Sequence, residues 1–278
     1  VQTINYPDIV QVDHTLICAY QDTTTGLKRL RVQTRARDAA WGSPVTVYSK
    51  ATPVAVKDYR PGLCVLPDGS VLLAAHINDP SANESNVDVW RSTDKGATWS
   101  LFSEAALKTG ISTVTGSAGF DLKRIRLAYN EGQVLMIIHA VSNDTSRTYR
   151  GTYLQYASSS LGGRFDYIET GAQDLFVSMP DVMSTPAGFI VAHITWNKLQ
   201  CRRLSDAYVP FSNVPAIDAA SNDINFVEWD SPPATKFAAS ADMAACVGQD
   251  GTLYILARVY GNPSAPLNDC QIIRSTDH

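Results

Sequence analysis

The chain has 278 residues, 45% of them hydrophobic, enough for one large core or two small ones. It carries 27 acidic and 23 basic residues for a net charge of −4, and no basic run marks a nucleic-acid surface. No apolar run is long enough to span a bilayer.

The sequence starts at Val1 with no initiator Met and no signal peptide, so it is expected to be a processed or excised piece. Its five cysteines include no CxxC pair, which argues against a metal centre or a dense disulfide framework. Cys18 and Cys64 sit in apolar runs and read as buried small hydrophobes. Asn83-Glu84-Ser85 and Asn143-Asp144-Thr145 fit glycosylation sequons.

In chain order, short apolar runs follow tight-turn signals. Asp13-His14 precedes Thr15 to Tyr20, and Asp68-Gly69 precedes Ser70 to Ala74. Glu131-Gly132 precedes Gln133 to Ile138, Ala187-Gly188 precedes Phe189 to Ala192, and Asp250-Gly251 precedes Thr252 to Leu256. Asp-Gly between apolar runs signals a hairpin, because Gly takes the positive φ such a turn needs. Only Ser103 to Leu107 offers a short helical turn.

Each hairpin is followed by a candidate S-x-D-x-G-x-T-W motif, the pattern called the Asp-box. Ser92, Asp94, Gly96 and Trp99 match it in full, and Ser275 and Asp277 open a second copy cut off at His278. Weaker copies start at Thr34, Ser158 and Leu204. Segment Tyr59 to Leu72 aligns with Ala241 to Tyr254, each preceding a strong box. The repeats run roughly over 1–58, 59–110, 111–170, 171–220 and 221–278.

The pattern predicts an all-β fold, a β-propeller of four-stranded antiparallel blades. About five blades are visible, six or more when complete. The last box stops before its Gly and Trp, so the chain is expected to be a fragment, or to be closed by another chain, since an open sheet edge invites pairing. Within a box the Asp should accept turn N–H groups, the Gly should supply a positive φ, and the Trp should pack between sheets. These are folding roles, not chemistry.

The segment from Tyr59 to Ser100 resembles the N-terminal part of exo-α-sialidases. There an Arg-Ile-Pro motif opens a strand, followed by an Asp-Gly hairpin, Leu-Leu-Ala and the first box. Here the opening is Tyr59-Arg60-Pro61, one residue shorter, and Asp68-Gly69 leads into Leu72-Leu73-Ala74. The resemblance implies that Arg60 and Arg258 belong to an arginine clamp for a sugar carboxylate, which guanidinium holds bidentately. It places Asp242 at the glutamate that assists the nucleophile. The acid/base aspartate falls in the loop after His76, where Asp79, Glu84 and Asp88 all compete. The third arginine and the nucleophilic tyrosine would lie beyond His278.

A glycan-recognising propeller is therefore expected, acting in receptor binding, adhesion or surface decoration, extracellular or on a cell or virion surface. The alternatives are an exo-α-sialidase completed by later residues, and a structural assembly scaffold. The expected partner is a glycan, sialylated or otherwise anionic, together with other chains of a larger assembly. Trp196, Trp229 and Tyr260 are candidate sugar-stacking residues. No cofactor or metal is expected, although His76, His139 and His193 end corresponding strands in three repeats.

Overall fold

A computed structural model describes residues 4–24, 27–49, 58–79, 84–105, 120–142, 149–157, 165–172, 181–186, 188–195, 198–204, 236–237, 243–248, 250–260 and 268–275. These residues form five antiparallel sheets and no helix.

The first sheet is a meander of β1 (Ile4–Val12), β2 (Thr15–Asp22), β3 (Arg29–Ala36) and β4 (Val45–Ser49). The second repeats that order with β5 (Gly62–Val65), β6 (Val71–Asp79), β7 (Glu84–Ser92) and β8 (Ser100–Ala105). The third does so with β9 (Phe120–Asn130), β10 (Gln133–Ser142), β11 (Tyr149–Ala157) and β12 (Phe165–Ala172). The fourth has β13 (Asp181–Thr185), β14 (Gly188–Thr195) and β15 (Lys198–Leu204). In the fifth, β16 (Lys236–Phe237) and β17 (Met243–Val247) lie end to end along β18 (Leu253–Tyr260), with β19 (Asn268–Ser275) on the other edge.

The first strands of the sheets touch in sequence: β1 meets β5, β5 meets β9, β9 meets β13, and β13 meets β17. The sheets are thus blades around a shared axis, and the fold is a β-propeller. Antiparallel order then sorts the connections. Turns after the first and third strands of a blade lie on one face, here the turn face. Loops after the second strand and crossovers to the next blade lie on the other, the crossover face.

Period-two burial makes the layers. Val12, Ile17, Leu30 and Val32 of the first blade pack on Leu63, Val71, Leu73 and Trp90 of the second. The opposite face of the second blade, with Cys64, Leu72, Ala74 and Val89, packs on Ile125, Leu127, Met136 and Ile138 of the third. The second blade is therefore apolar on both faces, which explains its near-continuous apolar runs.

The repeat is visible bond by bond. Gly69 N–H donates to the Leu66 carbonyl (2.9 Å) and Leu66 N–H to that of Ser70 (2.8 Å). Gly251 N–H donates to Gly248 (3.0 Å) and Gly248 N–H to Thr252 (2.8 Å) in the fifth blade. Asp68 and Asp250 each accept the N–H two residues on.

Some expectations need correction. Ser103 to Ala105 is not helical; it lies in β8 and pairs with β7 from Val89 to Val87, where an edge strand completes the sheet. His76, His139 and His193 lie inside β6, β10 and β14 rather than at their ends, because those strands run on for two or three further residues. Cys64 is buried and its thiol is pushed up to about 12 by desolvation, and Cys18 is half-buried. Cys246 is exposed, because it lies on the face of β17 opposite the buried Met243 row.

Candidate functional site

At the axis, the inner strands are tied by charged side chains. Asp8 of β1 accepts the Leu63 N–H of β5 at 2.7 Å. Asp181 of β13 accepts the Val182 N–H at 2.9 Å and, from β17, the Ala245 N–H at 2.9 Å. Arg126 of β9 lies between the two acids, 3.5 Å from Asp8 and 3.6 Å from Asp181. Arg124, two residues earlier on the same strand, pairs with Asp181 at 3.3 Å. Arg126 also donates to the Pro61 carbonyl at 3.3 Å. All five inner strands thus meet in one polar cluster.

The acids differ in environment. Desolvation pushes the Asp8 carboxyl above its ordinary value, and nearby Asp181 adds to that; Arg126 and the Leu63 N–H oppose it. Asp181 is enclosed by two guanidinium groups and two backbone donors.

A second cluster lies further out on the crossover face and centres on Asp58. Gln21, at the end of β2, donates to it at 3.0 Å, and Lys28, before β3, at 2.9 Å. The Tyr6 hydroxyl donates at 2.9 Å, and Arg60 lies 3.5 Å away. Burial raises the Asp58 pKa, but the bonds from Gln21, Lys28 and Tyr6 outweigh it and hold the carboxyl down at about 2. The backbone around Asp58 is fixed as well. Tyr59 N–H donates to Gln21 at 2.9 Å, and His76 N–H to the Tyr59 carbonyl at 2.7 Å.

Arg60, predicted from sequence, therefore sits at this mouth. Its guanidinium lies 4.0 Å over the Tyr6 ring and donates to the Tyr6 hydroxyl at 3.2 Å. Arg258 is on β18 opposite Cys270, towards the crossover end; Asp79 ends β6 opposite Glu84. The side chains of Arg258, Asp79 and Glu84 lie outside the described residues. Asp88 is half-buried inside β7 opposite Ala75, away from the strand's crossover end. Asp242, just before β17, lies outside the described residues, as do Trp196, Trp229 and Asp277. Among the described residues no group of three His, Cys, Asp or Glu side chains could hold a metal ion.

The box residues lie on the opposite, turn face. Asp94 accepts from the Thr98 N–H (2.9 Å), the Thr98 hydroxyl (2.5 Å) and the Ser92 hydroxyl (2.8 Å). Gly96, at φ 87°, donates to Ser92 at 2.8 Å. Trp99 donates from its indole to the Gly96 carbonyl at 3.1 Å and packs on the core between the first two blades. Ser275 ends β19, the equivalent position of the fifth blade.

Sequence reasoning missed Tyr6, Asp8, Asp58, Arg124, Arg126 and Asp181. A signal existed. Pro7-Asp8-Ile9 lies at a bulge inside one inner strand, while Pro180-Asp181-Val182 and Pro61-Gly62-Leu63 stand at the start of two others. Proline lacks a ladder donor and marks strand starts and bulges. Here the bulge between Asn5 and Asp8 turns Asp8 towards the neighbouring blade.

No protein-family model and no curated protein sequence matches the chain. Solved structures do match in fold. One is the α-L-arabinanase of Penicillium chrysogenum with arabinobiose, at TM-score 0.63 and 14% identity over 98% of this chain and 92% of that one. Another is the GH93 α-L-arabinofuranosidase of Fusarium graminearum with arabinobiose, at 0.65 and 14% over 97% and 80%. A thermostable family-43 glycoside hydrolase matches at 0.56 and 12% over 98% and 89%. The likeness is one of fold, the β-propeller of glycoside hydrolases.

Proposed function

We propose that this protein binds a carbohydrate at the crossover end of its axis. The observation that carries the reading is the convergence of Asp8, Arg126 and Asp181, from three blades, on one point. Carboxylates and guanidinium groups fixed by backbone bonds are suited to paired sugar hydroxyls, and Tyr6 adds a ring at the rim. The arabinobiose in two propellers of similar fold supports a saccharide ligand.

Charge balance favours a neutral glycan over a sialylated one. Arg124 and Arg126 face Asp8 and Asp181, while Arg60 and Lys28 face Asp58. A sugar carboxylate would have to displace Asp58 from Arg60. As a binding module the protein would serve in receptor binding, adhesion or surface decoration, outside the cell or on a virion.

One observation favours a hydrolytic version. Burial raises the Asp8 carboxyl, whereas Asp181 is held by two arginines. Glycoside hydrolysis uses two carboxyl groups in unlike environments, one keeping its proton to protonate the leaving oxygen and one ionised. In that version Asp8 is the acid, and Asp181 helps to fix it through Arg126, which lies between the two. The sialidase version instead assigns Asp79, Asp242 and the Arg60–Arg258 clamp.

A glycan array with neutral arabino-, galacto- and fructo-oligosaccharides beside sialosides tests the reading. Binding to a neutral class, lost in Arg126→Ala variants that still fold, is the expected result. Selective sialoside binding would restore the clamp, and silence of the folded protein across the array would leave the scaffold alternative. Turnover of arabinobiose that disappears in Asp8→Asn would establish hydrolysis.

A further inference from the structure

The weak box of the first blade keeps the backbone of the full one and exchanges its side chains. Thr34 to Trp41 align with Ser92 to Trp99. The two loops close alike: Ala39 N–H donates to the Ala36 carbonyl at 3.2 Å, as Ala97 N–H does to that of Asp94 at 3.3 Å. Asp38 has a left-handed φ of 61° where Gly96 has 87°. Ala36, however, stands in the place of Asp94. The carboxylate that accepts from Ser92 and Thr98 in the second blade therefore has no counterpart at that position in the first. Arginines stand on either side of it, Arg35 and Arg37.

A groove of about 350 Å³ opens at this point of the turn face, at the small end of the range for ligand sites. Its floor is a row across three strands, Gln11, Leu16 and Arg35. Ala36 and Arg37 line it from the box loop, and His14 lines it from the turn between β1 and β2. Hydrogen bonds to backbone carbonyls fix these walls. Arg37 N–H donates to that of His14 at 2.9 Å, the Arg35 side chain to that of Ala39 at 2.9 Å, and the Gln11 side chain to that of Asp13 at 2.7 Å. The acids nearby do not balance the cations. Asp13, beside His14, pairs with Lys95 of the second blade at 2.8 Å. Asp38, at the edge of the groove, lies 3.7 Å from Arg37, with both side chains largely in solvent. Among the described residues, two guanidinium groups and an imidazole thus line the groove with a single carboxylate.

We propose that this groove binds a small molecule carrying a phosphate, sulfate or carboxylate group, which takes the place that the Asp94 carboxylate holds in the second blade. Arg35 and Arg37 hold the anion through charge-assisted N–H bonds, for which the planar guanidinium is suited, and His14 borders it. Leu16 and Ala36 give the rest of the ligand an apolar footing. A box that merely lost its acid would be a turn with fewer bonds. Here the lost acid is flanked by cations, the composition of a site that takes its acid from outside. The groove lies on the turn face, away from the crossover mouth, so this inference and the carbohydrate reading can fail separately.

The test sets an outside anion against a restored inner one. Sodium phosphate, sodium sulfate and sodium glucuronate are titrated calorimetrically, at an ionic strength held constant with sodium chloride, into wild type, Arg35→Ala/Arg37→Ala, Ala36→Asp and Ala36→Ser. Each variant is checked by thermal melting. Wild type should bind at least one of the three anions, and the tightest identifies the group. The double arginine variant and Ala36→Asp should each weaken that anion about tenfold or more. Ala36→Ser, small and neutral, should stay within about threefold of wild type. If Ala36→Asp does not fold, the double arginine variant decides, since both of its side chains are exposed. Silence of wild type to all three anions overturns the proposal. So does binding of equal strength in the folded double arginine variant, which would place the anion elsewhere.

Discussion

The turn face and the crossover face use the same residue types for opposite ends. On the turn face, Asp94 accepts from Ser92 and Thr98, within four residues of itself. On the crossover face, Asp58 gathers Tyr6, Gln21 and Lys28 from 52, 37 and 30 residues away. A carboxylate with local partners builds a turn and is finished. One with distant partners joins elements and leaves groups facing a shared mouth. The box also clamps its neighbour: a Cβ on Gly96 would come within 3.1 Å of Thr34 and 3.2 Å of Ile17 in the first blade. Folding chemistry thus sits on one face, and the proposed carbohydrate-binding site on the other.

The largest expected effect is at the axis. Asp181→Ala would leave the buried Arg124 and the half-buried Arg126 with one carboxylate fewer between them, and free the Ala245 N–H. Removing one partner of such a network costs about 3–5 kcal/mol. Urea unfolding should show it; a loss below about 1 kcal/mol would mean the inner strands hold without the cluster.

Next come the two tryptophans of the turn face. Trp99 packs on the core between the first two blades, whereas Trp41, in the weak copy that starts at Thr34, is 41% exposed. Trp99→Ala should cost about 2 kcal/mol and Trp41→Ala less than about 0.5 kcal/mol. Equal losses would show that the degenerate copy still seals its blade. Asp94→Ala should cost about 1 kcal/mol through its turn bonds and leave glycan affinity unchanged, because it lies on the other face. A change in affinity would break the division between the faces.

How much of this was legible in the sequence follows the same division. Hairpins and boxes are local devices, written in four to eight consecutive residues, so the strand order and the propeller could be read directly. Arg60 was singled out through the resemblance of Tyr59-Arg60-Pro61 to a sialidase motif. Asp8, Arg126 and Asp181 are separated by more than fifty residues each, and no short motif joins them. Their meeting depends on the inner strands sharing an axis, a property of packing. The Pro-Asp pair at Pro7-Asp8 and Pro180-Asp181 was the local trace, one copy at a bulge and the other at a strand start. Asp58 left no trace, since its donors lie on separate loops and strand ends.

The last expected effect concerns acid. Folding lowers the Asp58 pKa from 3.8 to about 2, so its ionised form is favoured in the folded protein. A depressed carboxyl contributes stability that is fully present above the unfolded value and lost as pH falls through the folded one. The window therefore runs from about pH 4 down to about pH 2. Asp8 acts in the opposite sense: its raised carboxyl favours the folded state most at low pH, and that contribution is lost as pH rises through its folded value. Asp58→Asn should lower the melting temperature at pH 6 by a few degrees and match wild type near pH 2. With Asp58 28% exposed, solvent screening limits the loss to about 1 kcal/mol. If the two melting curves stayed parallel from pH 6 to pH 2, Asp58 would be acting through shape alone. The mouth would then resemble the Asp94 turn more than its long-range bonds imply.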